Sequence, residues 1–439
     1  MLKRALYLLL FVICLAVGFL FYLRIKNTSK VDTTKTVYLS QGKDGPQLFR
    51  NGKPFYIKGA SGRSHIKELA EIGGNTLRVY DTTNIQGVLD EAYKHNIAVI
   101  VDIPIPPYSP KYHYYDSKTF TDSMEVEVRS LVNRIKDHPA LLFWSLGNEV
   151  DFPLVFFKNR FIKTYNNLID IIHELDPNHP VSTTICSTTK TQILGIYLYA
   201  HNIDLMGFNV FGSLPDVDPI VSKFSYLLNL KPYFFSEWGI HGPWEEDRNT
   251  WESLVELNST EKAKVYTDLY KSYIEPDKNA LGSLVFYWGD KVEGTPTWFN
   301  IFNEEGRTSE TFYSLKSVWT KQESKDSIPP QILDLELNGN GKFTNHIYKP
   351  NHIGKAELNL GAHQNSDLKF KWVLCKEGWG DQEEKFDSLY NNPILIKSIP
   401  GSKIEFKMPE EEGPYRLFVN VYDKQNNFST ANVPFYILN

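Results

Sequence analysis

Two glutamates stand where short apolar runs stop. Leu141-Leu142-Phe143-Trp144-Ser145-Leu146 breaks off at Gly147-Asn148-Glu149, and Pro232-Tyr233-Phe234-Phe235-Ser236 reaches Glu237 just before Trp238-Gly239. Each run has the length and composition of a strand buried on both faces, as parallel sheets require. A carboxylate at the C-terminal end of such a strand lies where barrel enzymes keep their chemistry. Two carboxyl groups ~5–5.5 Å apart can cleave a glycosidic bond with retention, one protonating the leaving oxygen and the other attacking the anomeric carbon. The bland alternative is a pair of ordinary surface carboxylates in ion pairs.

To bring these residues together the chain needs a scaffold that places many strand ends on one face. Strand patterns fall at 56–60, 76–80, 98–103, 141–146, 181–184, 205–210, 233–236 and 283–288. Helical patterns fall at 64–72, 85–95, 122–136, 158–175, 190–200, 220–228, 260–274 and 309–319. Eight strand–helix units over about 265 residues predict an α/β fold, a closed (β/α)8 TIM barrel. A doubly wound open sheet is the competing fold, but no glycine-rich phosphate fingerprint opens any of these helices. Before the barrel, Asn51-Gly52 between apolar flanks predicts a hairpin. After it, the polar stretch 320–327 and Pro329-Pro330 mark a boundary. Residues 329–439 then read as short strands at 331–337, 356–360, 369–374, 403–407, 415–422 and 432–438, an Ig-like β-sandwich. Within 415–422, Leu417, Val419 and Val421 alternate with Arg416, Phe418 and Asn420, and Trp372 reads as a core aromatic.

The first 26 residues are of another kind. Lys3 and Arg4 precede an uncharged run from Ala5 to Leu23, and Arg24 and Lys26 follow it. Its nineteen residues span roughly 28 Å as a helix, close to a bilayer core. The expectation is an N-terminal transmembrane anchor joined by a linker (27–36) to an exported catalytic domain (37–322). A cleaved signal peptide is the alternative. The membrane is then a partner through this segment alone.

Composition narrows the function. At 439 residues with 42% hydrophobic and 23% charged content, the chain is globular and long enough for two domains. A net charge of −5 argues against nucleic acid as a partner. Its 25 Tyr and 9 Trp suit either a bulky core or the stacking of sugar faces. Cys14, Cys186 and Cys375 have neither disulfide-framework nor metal-ligand spacing. No metal and no organic cofactor is expected.

Five stretches, in order, resemble the strand ends of retaining β-glycosidases of glycoside hydrolase clan A, family 2 most of all. They are Leu48 to Gly59, Asn75-Thr76-Leu77-Arg78, Trp144 to Glu149, Ser236-Glu237-Trp238-Gly239 and Phe286-Tyr287-Trp288. The resemblance covers roughly residues 45–320. It implies that Glu149 is the acid/base and Glu237 the nucleophile, and that Asn148 bonds the hydroxyl beside the anomeric carbon. It also implies that Arg78 holds Glu237, with Asn209 as a further sugar contact and Trp238 and Trp288 as stacking faces. Burial beside Trp144 and Leu146 is expected to keep Glu149 protonated. Family 2 enzymes usually carry β-sandwich domains before the barrel, where the pattern here gives only a short hairpin. Phe211 also stands where many relatives have a tyrosine near the nucleophile. The stretch Asn75-Thr76-Leu77-Arg78-Val79-Tyr80-Asp81 is similar to β-glucanosyltransferases of the same clan. Transfer between glycans therefore stays open beside hydrolysis of an oligosaccharide or polysaccharide, as does a non-catalytic glycan-binding barrel. Long loops at 104–115 and 240–257 predict a high aromatic wall. His113 reads as a rim contact ahead of a catalytic base.

Overall fold

The computed structural model describes residues 31–43, 45–109, 111–155, 159–186, 188–228, 230–322, 328–361, 367–377, 390 and 392–439, plus positions 4, 7, 11, 14 and 18. The expected anchor lies almost wholly outside the described residues. Among the described residues no helix is long and apolar enough to cross a membrane.

The chain opens with a three-stranded antiparallel sheet, β1 (Val37–Gly42), β2 (Gly45–Arg50) and β3 (Lys53–Phe55). Asn51 and Gly52 take φ of 52° and 73°, the left-handed pair that a two-residue hairpin turn demands. Eight strands follow: β4 (Ile57–Gly62), β5 (Thr76–Val79), β6 (Ala98–Ile103), β7 (Leu141–Leu146), β8 (Val181–Cys186), β9 (Leu205–Val210), β10 (Tyr233–Trp238) and β11 (Ala280–Trp288). They close into a barrel in the order β10-β11-β4-β5-β6-β7-β8-β9. Each is followed by a helix: α1 (Ile66–Glu71), α2 (Ile85–Lys94), α3 (Lys118–Ile135), α4 (Arg160–Leu175), α5 (Lys190–Tyr199), α6 (Val217–Leu227), α7 (Ser259–Leu269) and α8 (Glu310–Thr320).

Local chemistry explains these elements. Strands β6 and β7 are buried at every position, since helices cover one face and the barrel core the other. Helix α4 buries Phe161, Ile162, Tyr165, Leu168, Ile169 and Ile172 at helical spacing. Asn159 caps it by accepting from the Ile162 amide at 2.9 Å. Helix α3 begins four residues earlier than its apolar pattern because Ser117 supplies the cap. Val37 and Leu48 share one core with Ile57, Ala98, Leu142, Leu205 and Phe234. These last five lie at or next to the N-terminal ends of their strands, so the leading sheet packs on the end opposite the site.

The chain divides into two compact units, Met1–Ile57 with Arg78–Glu237 and Asp277–Leu284, and Lys58–Leu77 with Trp238–Pro276 and Val285–Asn439. The second holds two further sheets. One joins β12 (Ile332–Leu337), β14 (Ile353–Leu360) and β17 (Lys403–Lys407). The other has the order β13 (Ile347–Tyr348), β19 (Phe428–Ile437), β18 (Gly413–Tyr422), β15 (Lys369–Lys376), β16 (Leu395–Ile399). Both sheets contribute to one core around Trp372, which is fully buried. The alternation read in β18 does not leave one face wet. Nine of its ten residues are buried. Leu417, Val419 and Val421 face the sandwich core, while Phe418 packs with Val373 and Cys375, and Arg416 bonds the Leu254 carbonyl.

Candidate active site

The first unit contains a tightly bonded polar group at the C-terminal ends of its strands. Arg78, in β5, has no exposed surface. Its Nε and Nη2 donate to the two carboxylate oxygens of Asp102 in β6, at 3.1 and 2.7 Å. Its Nη1 donates to Glu237 Oε1 in β10 at 2.9 Å, and its Nη2 also reaches Asn148 Oδ1 at 2.7 Å. Burial works against the guanidinium charge, but Asp102, Tyr80 and Glu237 outweigh it and hold its pKa above the ordinary value. The cation is therefore permanent, and Glu237 is held beside it as an anion.

Glu237 accepts a second bond on the same oxygen, from the Tyr80 hydroxyl at 2.9 Å. Glu149 joins the group through Asn209, whose Nδ2 donates to Glu149 Oε1 at 2.7 Å. Asn209 Oδ1 accepts from Ser236 Oγ at 2.7 Å and from Arg78 Nη1 at 3.3 Å, so this one amide connects the two glutamates. Asn148 Oδ1 accepts from Arg78, from Thr184 Oγ1 at 2.9 Å and from Asn209 Nδ2 at 3.0 Å. With that oxygen committed, the NH2 of this exposed side chain is its remaining polar group.

The chain turns abruptly to expose Glu149. Gly147 has φ of 75°, and a Cβ there would stand 2.3 Å from Val150 Cγ1. Glu149 itself takes φ of 52°, with its amide bonded to the Thr184 carbonyl at 3.2 Å. A left-handed backbone is costly for a glutamate, and such costs concentrate at functional positions. The burial expected at Glu149 is incomplete, because the residue is half-exposed on this turn.

Arg78, Asn148, Glu149, Asn209 and Glu237 are thus brought together, and the two tryptophans are not part of the group. Trp238 has no exposed surface and packs against Tyr266 and Tyr270. Adjacent strand residues point to opposite faces, so with Glu237 directed inward Trp238 must turn out toward the helices. Trp288 is equally buried, donating from Nε1 to the His65 carbonyl at 3.0 Å and packing against Phe302 and Phe312. Neither presents a face on which a sugar could stack, which corrects the expectation for both. Phe211 is buried. His113 is exposed on the rim and pairs with Asp116 at 3.0 Å. Of the aromatic loop residues, Tyr112, Tyr114 and Trp244 are exposed, while Trp251 is buried against Tyr436.

Tyr80, Asp102 and Thr184 belong to the group and were not singled out from the sequence. The signal for Tyr80 was its position two residues after Arg78, which puts both on one strand face. For Asp102 it was a lone carboxylate in an otherwise apolar strand, which burial compels to find a cation. Thr184 carried no comparable signal. Among the described residues there is no cluster of His, Cys, Asp and Glu fit to hold a metal ion.

Comparison with known proteins supports the barrel fold. Residues 74–225 match the family model described as "Glycosyl hydrolases family 2, TIM barrel domain". A rat β-glucuronidase (Rattus norvegicus) is 29% identical over 217 residues, 43% of this chain and 32% of that protein. A bovine β-mannosidase (Bos taurus) is 23% identical over 343 residues, 65% of this chain and 37% of that protein. The chain therefore spans only about a third of the length of these relatives. The crystal structure of a Bacteroides uniformis β-glucuronidase superposes with a TM-score of 0.52 at 13% identity, covering 91% of this chain and 48% of that one. A GH2 β-galacturonidase from Eisenbergiella tayi bound to galacturonate gives a TM-score of 0.52 at 16% identity, over 66% of this chain and 54% of that one. Arg78, Asn148, Glu149 and Asn209 all lie inside this matched segment, which is about a third of the chain, and Glu237 lies outside it.

Proposed function

We propose that this chain is a retaining β-glycosidase in which Glu237 attacks carbon and Glu149 moves protons. The observation that carries the reading is the Asn209 bridge. One buried amide bonds Glu149 and also the guanidinium that holds Glu237, so the two carboxylates form one constellation. In the first step a Glu237 carboxylate oxygen bonds to the anomeric carbon. The bond to the leaving oxygen breaks with its electron pair, and that oxygen takes the proton of Glu149. In the second, Glu149 removes a proton from water as its oxygen bonds to the same carbon, and the ester bond to Glu237 breaks to restore the carboxylate. Asn148, through its NH2, bonds the neighbouring hydroxyl, a contact that strengthens in the transition state.

The relatives' names supply the first sugars to try, β-glucuronides and β-mannosides, within a screen of activated aryl β-glycosides. Replacement of each glutamate by alanine, assayed with azide, separates the roles. Without Glu149 the intermediate still forms and azide enters from the original face, giving the β-glycosyl azide. Without Glu237 azide attacks directly, giving the α-glycosyl azide. The Glu149→Ala loss should be about 10²–10⁴-fold, the usual worth of general acid–base catalysis, and the Glu237→Ala loss larger. Reversed azide products would exchange the assignments, and unimpaired turnover in both would overturn the reading. The same proposal takes residues 5–23 as a membrane anchor that presents the barrel outside the cytoplasm to an oligosaccharide or polysaccharide. Release of active protein from membranes by carbonate washing would refute the anchor.

A further inference from the structure

We propose that Gln192 is a positioning residue for the acid/base, acting by holding the backbone turn on which Glu149 stands. The inference rests on the reading of Glu149 as the group that moves protons. Glu149 and Asp151 both take left-handed backbone, with φ of 52° and 51°. Neither residue is glycine, so the turn keeps this shape only while its surroundings enforce it. Gln192 lies in the first turn of α5, and its Nε2 donates to Asp151 Oδ1 at 3.0 Å. That bond ties a helix to a carboxylate two residues beyond Glu149.

The rest of the segment is fastened by other means. Val150 is buried, and its carbonyl accepts from the Tyr108 amide at 3.0 Å. Phe152 is buried against Phe161 and Tyr165. A Cβ on Gly195 of α5 would stand 2.7 Å from the Pro153 carbonyl oxygen, so helix and segment are in close contact there. Tyr199, at the end of α5, donates from its hydroxyl to the Val155 carbonyl. These contacts hold positions 150, 152, 153 and 155, and the Gln192 bond adds position 151. An acid can protonate a leaving oxygen only from within hydrogen-bond reach of it. A displacement of about 1 Å in such a group can cost roughly 100-fold in rate. Relaxation at Asp151 would carry the Glu149 carboxyl off line, and the loss would scale with the leaving group's need for its proton.

Gln192→Met tests this, since methionine keeps the length of the side chain and removes the donor. Phenyl and dinitrophenyl β-glycosides are compared, of the sugar that the unmodified chain cleaves fastest. Phenolate is a poor leaving group and needs the proton, whereas dinitrophenolate departs without it. On the phenyl glycoside kcat/KM should fall about tenfold, the worth of one hydrogen bond to a charged group. On the dinitrophenyl glycoside it should change by less than about twofold. There kcat should fall, because Glu149 must still deprotonate water, and azide should restore it because azide has no proton to lose. Asp151→Ala breaks the same bond from its exposed side and should give the same pattern. The two changes together should cost no more than either alone. Asp151→Asn keeps the acceptor and tolerates left-handed backbone, so it should behave as the unmodified chain. An equal fall on both substrates marks a merely structural role and overturns the proposal, as does unimpaired cleavage of the phenyl glycoside. An unmodified chain silent on every aryl β-glycoside overturns the glycosidase reading itself, and the Gln192 assignment with it.

Discussion

Among the described residues two arginines, Arg78 and Arg416, have no exposed surface, and they are employed differently. Arg416, in β18, faces the carboxylate of Glu377, the side-chain carbonyl of Asn432 and the main-chain carbonyl of Leu254. One cation meets one anion, and polar oxygens accept the remaining N–H bonds. Arg78 meets two anions, Asp102 and Glu237, so its group carries a surplus negative charge. Glu237 is one of these two, in a group that also holds the half-exposed Glu149 through Asn209. A balanced buried pair holds a fold together, whereas an unbalanced one holds a charge ready for use. Burial alone does not separate the two, but charge stoichiometry does.

The largest effect that would sharpen this contrast is expected from Arg78→Lys. Lysine keeps the charge and loses the fork that spans Asp102 and Glu237. With one or two charge-assisted bonds gone, kcat should fall about 100-fold while the melting temperature moves little. A drop in stability without loss of turnover would make Arg78 a second Arg416. Next is Arg416→Met, which leaves Glu377 buried without its cation. Unfolding free energy should fall by about 3–5 kcal/mol in a denaturant titration, with turnover per folded molecule preserved. A changed kcat at full folding would show that the second unit shapes catalysis directly. Asp102→Asn should be milder, about tenfold in kcat, because the amide oxygen can still accept from the guanidinium. His113→Ala should come last, within twofold of the unmodified rate at every pH, since the residue is exposed and bonded to Asp116. A missing limb in its pH–rate profile would give the rim histidine the proton-transfer role denied it above.

How much of this could be read in advance depended on how each signal is encoded. Barrel strands announced themselves as unbroken apolar runs, and Glu149 and Glu237 as charges at their ends. Arg78 and Asn209 were expected from the resemblance to family 2 and not from any pattern of their own. Trp238 misled because identity drew attention to it while the pleat turns it away from Glu237. Trp288 misled because a ring near a mouth can also be needed to close the wall. Tyr80 was legible in principle from its two-residue spacing to Arg78, but its hydroxyl's destination on another strand was not. In the second unit, β13 and β16 were missed, being a two-residue strand and a mostly exposed one. The dry outer face of β18 was missed for another reason. Alternation predicts which side chains share a face, and it cannot tell what else will cover that face.

The turn at 147–151 has a consequence for how this protein persists. The backbone is left-handed at Gly147, Glu149 and Asp151, yet only the first is glycine. Aspartate tolerates that conformation through its short polar side chain, and glutamate does not. A sequence under selection for durability alone would therefore put glycine at 149 as well. Glu149→Gly should melt higher than Glu149→Ala by about 1 kcal/mol of stability, although both have lost the same carboxylate. Equal melting would mean that the turn relaxes once the side chain is gone. A lineage released from the need to act on glycans would be expected to drift to glycine here first, so this position would serve as a marker for which descendants still work.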